Sequence, residues 1–168
     1  MTTFFRILRL LSLVSWVGGL IFFVVAVTRV AFATMPNAHM AGMIVRGTLL
    51  VLHRIGMIAG IIYLVSTLTL IATQRDSHLV RALEILVVGL MLIITGYSHY
   101  SVLPRMEIDR LNLGGNIESS PPDTPSRRHF DRLHGLSVKL EGTILLGGLL
   151  LVCLAPLPRR DDLDRVQF

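Results

Sequence analysis

The sequence predicts an all-α protein, an antiparallel four-helix transmembrane bundle, and three observations carry that expectation. Four long apolar runs follow one another, each about the 20 residues of helix that cross a bilayer core of about 30 Å. Only 16% of the residues are charged and 52% are hydrophobic, against about 25% charged in an ordinary water-soluble domain. The connections are polar or rich in Pro, Gly and Ser, so the chain breaks its helices where it leaves lipid. Four crossings use most of the 168 residues, and the chain reads as a single integral membrane domain, 1–168.

Segment one covers 4–33, FFRILRLLSLVSWVGGLIFFVVAVTRVAFA. Arg6 and Arg9 before the apolar stretch, with Ala31-Phe32-Ala33 after it, imitate a secretory signal. The run is too long for one, and Arg29 stands just before the supposed cut, so a retained helix is expected. Segment two covers 39–73, with its lipid-like core in LLVLHRIGMIAGIIYLVSTLTLIA. The polar turn at 74–78 then folds segments two and three into an antiparallel hairpin. Segment three covers 79–103 and should stop at Pro104, because a proline disfavours helical geometry in the residue before it. A long loop, 104–129, follows, in which RMEIDRLNL is a candidate short helix on the membrane surface. Segment four covers 130–154 and stops at Pro156, leaving a polar tail, 155–168.

The net charge of +5 does not point to nucleic acid. All but one of the sixteen basic residues are arginines, and many flank apolar runs where they anchor helices at headgroups. A nucleic-acid reader would gather them on a soluble face with aromatics between. Four crossings put both termini and the 74–78 turn on one face. Seven arginines there against five in the opposite loops favour cytoplasmic termini in a cell (inner) membrane. Arg29, Arg46, Arg54 and Lys139 also lie towards the opposite end, and counting them reverses the bias. The lone cysteine, Cys153, excludes an internal disulfide and reads as a buried, inert thiol.

The informative residues are polar groups within the spans. Counting about 20 residues from the terminus side places His53, His99 and His134 within about one turn of each other in depth, near the loop-rich face. Imidazoles are expensive in lipid and call for partners inside the bundle. His39, Arg46 and His53 are spaced seven apart and share a helix face, continued by Met57 and Gly60; His134, Val138 and Glu141 share another. Glu141 needs a partner, for which Arg29, Arg46, Arg54 and Lys139 are candidates, although these arginines more simply snorkel to phosphate. Glu84, beside Arg81 on the other face, reads as an interfacial charge. MPNAHMAGM gathers His39, Met40 and Met43 near Met35, and thioether with imidazole suits Cu(I). Methionine also merely fills gaps in apolar helices. Tyr97 and Tyr100 flank His99 as interfacial aromatics do. Gly56 and Gly60 form a small-xxx-small pair, for contact inside the bundle or between protomers. No Gly-rich phosphate loop, Ser-His-Asp arrangement, HExxH or CxxC occurs, so nothing points to hydrolytic or nucleotide-driven enzymology.

Trp16-Val-Gly-Gly, Met35-Pro36, His53 in LHRIGM, Leu103-Pro104-Arg105, and Phe130 with His134-Gly-Leu-Ser resemble one family in their order and spacing. It is the four-helix membrane family typified by human transmembrane protein 205, with bacterial relatives grouped near the copper resistance protein D family. The resemblance runs from about residue 12 to 152. It implies four transmembrane helices and an association with resistance to cisplatin or handling of copper. His53 and His134 fall on its motif positions, while Glu141 stands where an amide is expected.

Three functions are therefore carried forward. The first is a metal-handling membrane protein, with copper the foremost ion, His53 and His134 as ligands, and His39, Met40 and Met43 as an entry site. In it Glu141 accepts a proton or neutralises cationic charge. The second is a b-type haem protein with axial ligands drawn from His53, His99 and His134. The third is a structural or assembly subunit of a membrane complex, or a homo-oligomer, whose histidines only pin helices together.

Overall fold

The computed structural model describes residues 2–73, 78–117 and 119–154. Four helices among them are long and apolar enough to cross a membrane: α1 (Thr3–Thr34), α2 (Ala38–Thr73), α3 (Leu79–Asn112) and α4 (Pro125–Leu154). There is no strand among the described residues. Helix α1 packs on α2, α2 on α3, α3 on α4 and α4 back on α1, giving an up-down-up-down bundle. The connection between α1 and α2 is short because Asn37 starts the second helix at once. Its Oδ1 accepts the Met40 N–H at 2.9 Å and its carbonyl accepts the Ala41 N–H at 3.2 Å. The polar turn expected at 74–78 lies, but for His78, outside the described residues, as do Pro156 and the tail.

Helix α3 departs from the sequence expectation. Pro104 does not end it, and RMEIDRLNL is not a separate surface helix. A π-helical turn, Ser98–Val102, precedes the proline, with the Leu103 N–H bonded to the Ser98 carbonyl. Helical geometry resumes over Leu103–Asn112, so Pro104 sits in a first turn, where its missing N–H leaves no gap. Gly114 and Gly115 end the helix with φ of 71° and 85°, a conformation that favours glycine. Helix α4 also begins before the expected residue 130. Pro125 takes its first position, the Thr124 carbonyl accepts the Arg128 N–H at 3.0 Å, and Arg127 pairs with Asp131 at 3.1 Å. The expected 26-residue loop thus shrinks to 113–124. The extension of α3 packs against α4, Asp109 Oδ2 meets His129 Nδ1 at 2.6 Å, and Arg127 donates to the Ile117 carbonyl.

Small residues set the helix spacing. A Cβ at Gly56 would meet Trp16 Nε1 at 2.4 Å, and one at Gly60 would meet Trp16 Cζ3 at 2.6 Å. The small-xxx-small pair of α2 is therefore a notch for Trp16 within one chain. A Cβ at Gly148 would meet Val17 at 2.5 Å, and one at Gly147 the Met91 side chain at 3.1 Å. Trp16, Val17, Leu20, Met91, Ile144 and Leu151 form the buried centre. Leu86, Ile93 and Leu146 are well exposed on the outside, as lipid contact requires. Cys153 lies there too, exposed rather than buried, because its position on α4 turns it away from the bundle.

Candidate functional site

Two layers of buried polar groups cross the bundle. The one nearer the termini is an ion cluster. Arg9 of α1 and Arg81 of α3 both donate to Glu84 Oε2, at 3.1 Å and 2.8 Å. Arg9 also lies 5.7 Å over the Tyr63 ring. Glu84 is 1% exposed, so the interfacial reading of this residue is corrected. Spacing places Arg81 and Glu84 on one face of α3, and the packing of α1 and α2 turns that face inward.

The second layer joins three helices. His53 of α2 meets Glu141 of α4, Nε2 to Oε1, at 2.7 Å, and the Ser98 hydroxyl of α3 donates to the same oxygen at 3.1 Å. The His99 ring packs edge-on against His53 with centroids 5.7 Å apart, and Tyr100 edges onto His99 at 4.6 Å from the outer side. His53, Ser98, His99 and Glu141 are each more than nine-tenths buried. The π turn contributes two of the four. Bonding across five residues puts more residues into a turn and narrows the angle between neighbours, so Ser98 and His99 both face the core while Tyr100 is exposed.

Polar capacity is left over at this layer. His53 Nδ1, His99 Nδ1 and Glu141 Oε2 are all buried without a hydrogen-bond partner. A purely structural contact would be expected to satisfy such atoms, since each unpaired one costs about 1–3 kcal/mol. Tyr63 Oη and Thr67 Oγ1 are also unpartnered, but only at this layer do the unpartnered atoms belong to a buried imidazole–carboxylate pair. Ionisable groups inside a membrane bundle are candidates for a functional site.

The other expected residues fall elsewhere. None of the four basic candidates partners Glu141: Arg29, Arg54 and Lys139 point outward, and Arg46 Nε pairs with Glu107 at 3.4 Å. His134 is exposed and stacks on Phe130, with planes 3° apart and centroids 6.2 Å apart. It does not join His53 and His99. The buried stripe of α4 is Leu133, Ser137, Glu141, Ile144, Gly148 and Leu151. At about 100° per residue, Glu141 lies on the edge of that stripe and His134 beyond it. His39 is half-buried, Met40 and Met43 are exposed, and the Met43 sulfur takes an Arg110 N–H at 3.8 Å. Among the described residues no group of three or more His, Cys, Asp or Glu side chains is placed to hold a metal ion. Ser98 was missed by sequence reasoning because nothing in its neighbourhood signals a widened turn except Pro104. His134→Ala should change stability by no more than about 0.5 kcal/mol, as for other surface sites; a larger loss in an unfolding titration in mixed detergent would mean it has a buried role.

A family model described as a domain of unknown function, DUF4149, matches residues 11–108, more than half of the chain. The match includes His53, Ser98, His99 and Pro104 and stops short of Glu141. No curated protein and no solved structure matches the chain.

Proposed function

The chain belongs to the DUF4149 family of unknown function, and from that premise we propose that this multi-pass membrane protein takes up and releases protons at His53 and Glu141. The observation that carries this reading is a buried imidazole and carboxylate at 2.7 Å, each with a second polar atom unpartnered. One proton is shared between Nε2 and Oε1. A second has two seats, His53 Nδ1 and Glu141 Oε2, and its arrival changes the charge of the layer by one. Ser98 steadies the ionised carboxylate, and the His99 ring lies close enough to feel that change. The arginine bias supports cytoplasmic termini in the inner membrane, so the His53–Glu141 layer lies nearer the periplasmic face.

Soft-metal handling is the second reading. It draws on the resemblance to the copper resistance protein D family and on the two unpartnered imidazole nitrogens. The residues fit copper poorly: the His53 Nε2 is engaged with Glu141, His134 lies outside, and Met40 and Met43 lie on the exposed surface. The haem reading fares worse, since axial ligands approach a porphyrin end-on from its two faces, whereas these two rings meet edge to face. A purely structural or assembly role is disfavoured by the three unpartnered atoms.

Infrared difference spectra of the protein in mild detergent, acid minus neutral, test this. A protonated-carboxyl band that vanishes completely in Glu141→Gln is expected. Absence of any such band in the wild-type protein would end the proton reading. Elemental analysis and a visible spectrum of the same sample address the rivals: stoichiometric copper lost in His53→Ala would replace the proton by a metal, and a Soret band would replace it by haem.

A further inference from the structure

We infer that Pro104, an exposed residue in the turn after Ser98–Val102, is a positioning residue for the His53–Glu141 layer; this inference rests on the proton reading above. A proline is a misfit inside a helix. It has no N–H to bond back, and its ring clashes with the carbonyl four residues earlier, here that of Tyr100. A regular helix through position 104 would suffer both penalties. The chain avoids them by widening one turn, Ser98–Val102, and restarting α geometry at Leu103. Kinks and π turns in long helices have local causes; the π turn of α1, Phe23–Val27, has no proline directly after it, whereas the one in α3 ends directly before the Leu103-Pro104 pair.

The widened turn is what aims the site. Ser98 and His99 are neighbours in sequence, and in a regular helix their side chains diverge by about 100°. Here both are buried, Ser98 at 0% and His99 at 8% exposure, and Val102 and Leu103 are buried above them. Only with both neighbours inward does Ser98 reach Glu141 Oε1 at 3.1 Å while His99 packs on His53 at 5.7 Å. One imino acid therefore sets two contacts to two different helices. Glu141 stays on α4 and His53 on α2 whatever α3 does; the donor of the second hydrogen bond to Glu141 Oε1 is what Pro104 controls.

The test is a double-mutant cycle read on the Glu141 carboxyl and carboxylate bands, whose frequencies report the hydrogen bonds the group accepts. Ser98→Ala removes the donor and displaces the bands. Pro104→Ala restores the N–H, lets α3 run as a regular helix, and should displace them in the same direction by a similar amount. The Ser98→Ala/Pro104→Ala double variant should add nothing, because both changes act through one contact. Bands unchanged in Pro104→Ala but displaced in Ser98→Ala would overturn the inference, and so would additive displacements. Both outcomes leave the proton reading intact, which fails only if the wild-type protein shows no band that Glu141→Gln removes. Pro104→Gly, which restores the N–H with a more flexible backbone, serves should the alanine variant not accumulate, with the same expected displacement.

Discussion

Replacing Glu84 by alanine should destabilise the bundle by about 3–5 kcal/mol, the cost of breaking a buried ion pair by removing one partner. Glu84 is 1% exposed, and the two guanidiniums on its Oε2, Arg9 and Arg81, are 7% and 5% exposed. Without the carboxylate, the buried guanidiniums of Arg9 on α1 and Arg81 on α3, gathered on one oxygen, lose that shared counter-charge in a medium that screens them weakly. The bundle must then hydrate them or splay those helices apart. Glu84→Gln keeps the shape and an acceptor but not the charge, so its loss should be smaller. Unfolding in mixed detergent micelles, followed by helical circular dichroism, measures both. A Glu84→Ala protein within about 0.5 kcal/mol of wild type would show that the cluster is hydrated and contributes little.

Gly56→Ala should cost about 1–3 kcal/mol, although it adds only one methyl group. That methyl would lie 2.4 Å from Trp16 Nε1 and 2.9 Å from two further indole atoms. The indole is rigid, and Gly60 holds its other end with equal closeness, so it has nowhere to slide. In lipid, helix association depends on close packing more than on the hydrophobic effect, so a forced separation of α1 and α2 is felt directly. Gly18, on the same helix as Trp16, has nothing within 4 Å of its would-be Cβ. Gly18→Ala is therefore the control and should stay within about 0.5 kcal/mol of wild type. Equal effects at Gly56 and Gly18 in the same unfolding assay would disprove the notch. The change at Gly56 also bears on the site, because Gly56 lies one turn from His53 on α2.

Hydropathy runs along one dimension, and what depends on that dimension was legible. The four spans and the shared depth of His53 and His99 follow from run lengths and from counting residues across a membrane. The lateral arrangement was not. Glu84 and Arg81 are three residues apart in any reading, but whether their face meets lipid headgroups or Arg9 depends on how α3 is rotated against α1. His134 shows the same gap from the other side. It shares a face with Glu141, yet Glu141 is on the border of the buried stripe, and a small difference in angle separates a site residue from an exposed one. Pro104 was read as a stop because the rule for prolines is local, whereas packing of the following helix against α4 makes continuation worthwhile.

The sequence by itself determined that this chain forms four apolar helices with imidazoles and a carboxylate set within their spans. Depth is additive along a helix, at about 1.5 Å per residue, so it needs no neighbour to define it. The tertiary structure alone decided which of those groups meet: His53 with Glu141, Ser98 with the same carboxylate, Arg9 with Glu84. Azimuth around a helix has no meaning until another helix packs against it, and here Trp16 in its glycine notch and the widened turn before Pro104 are what fix it.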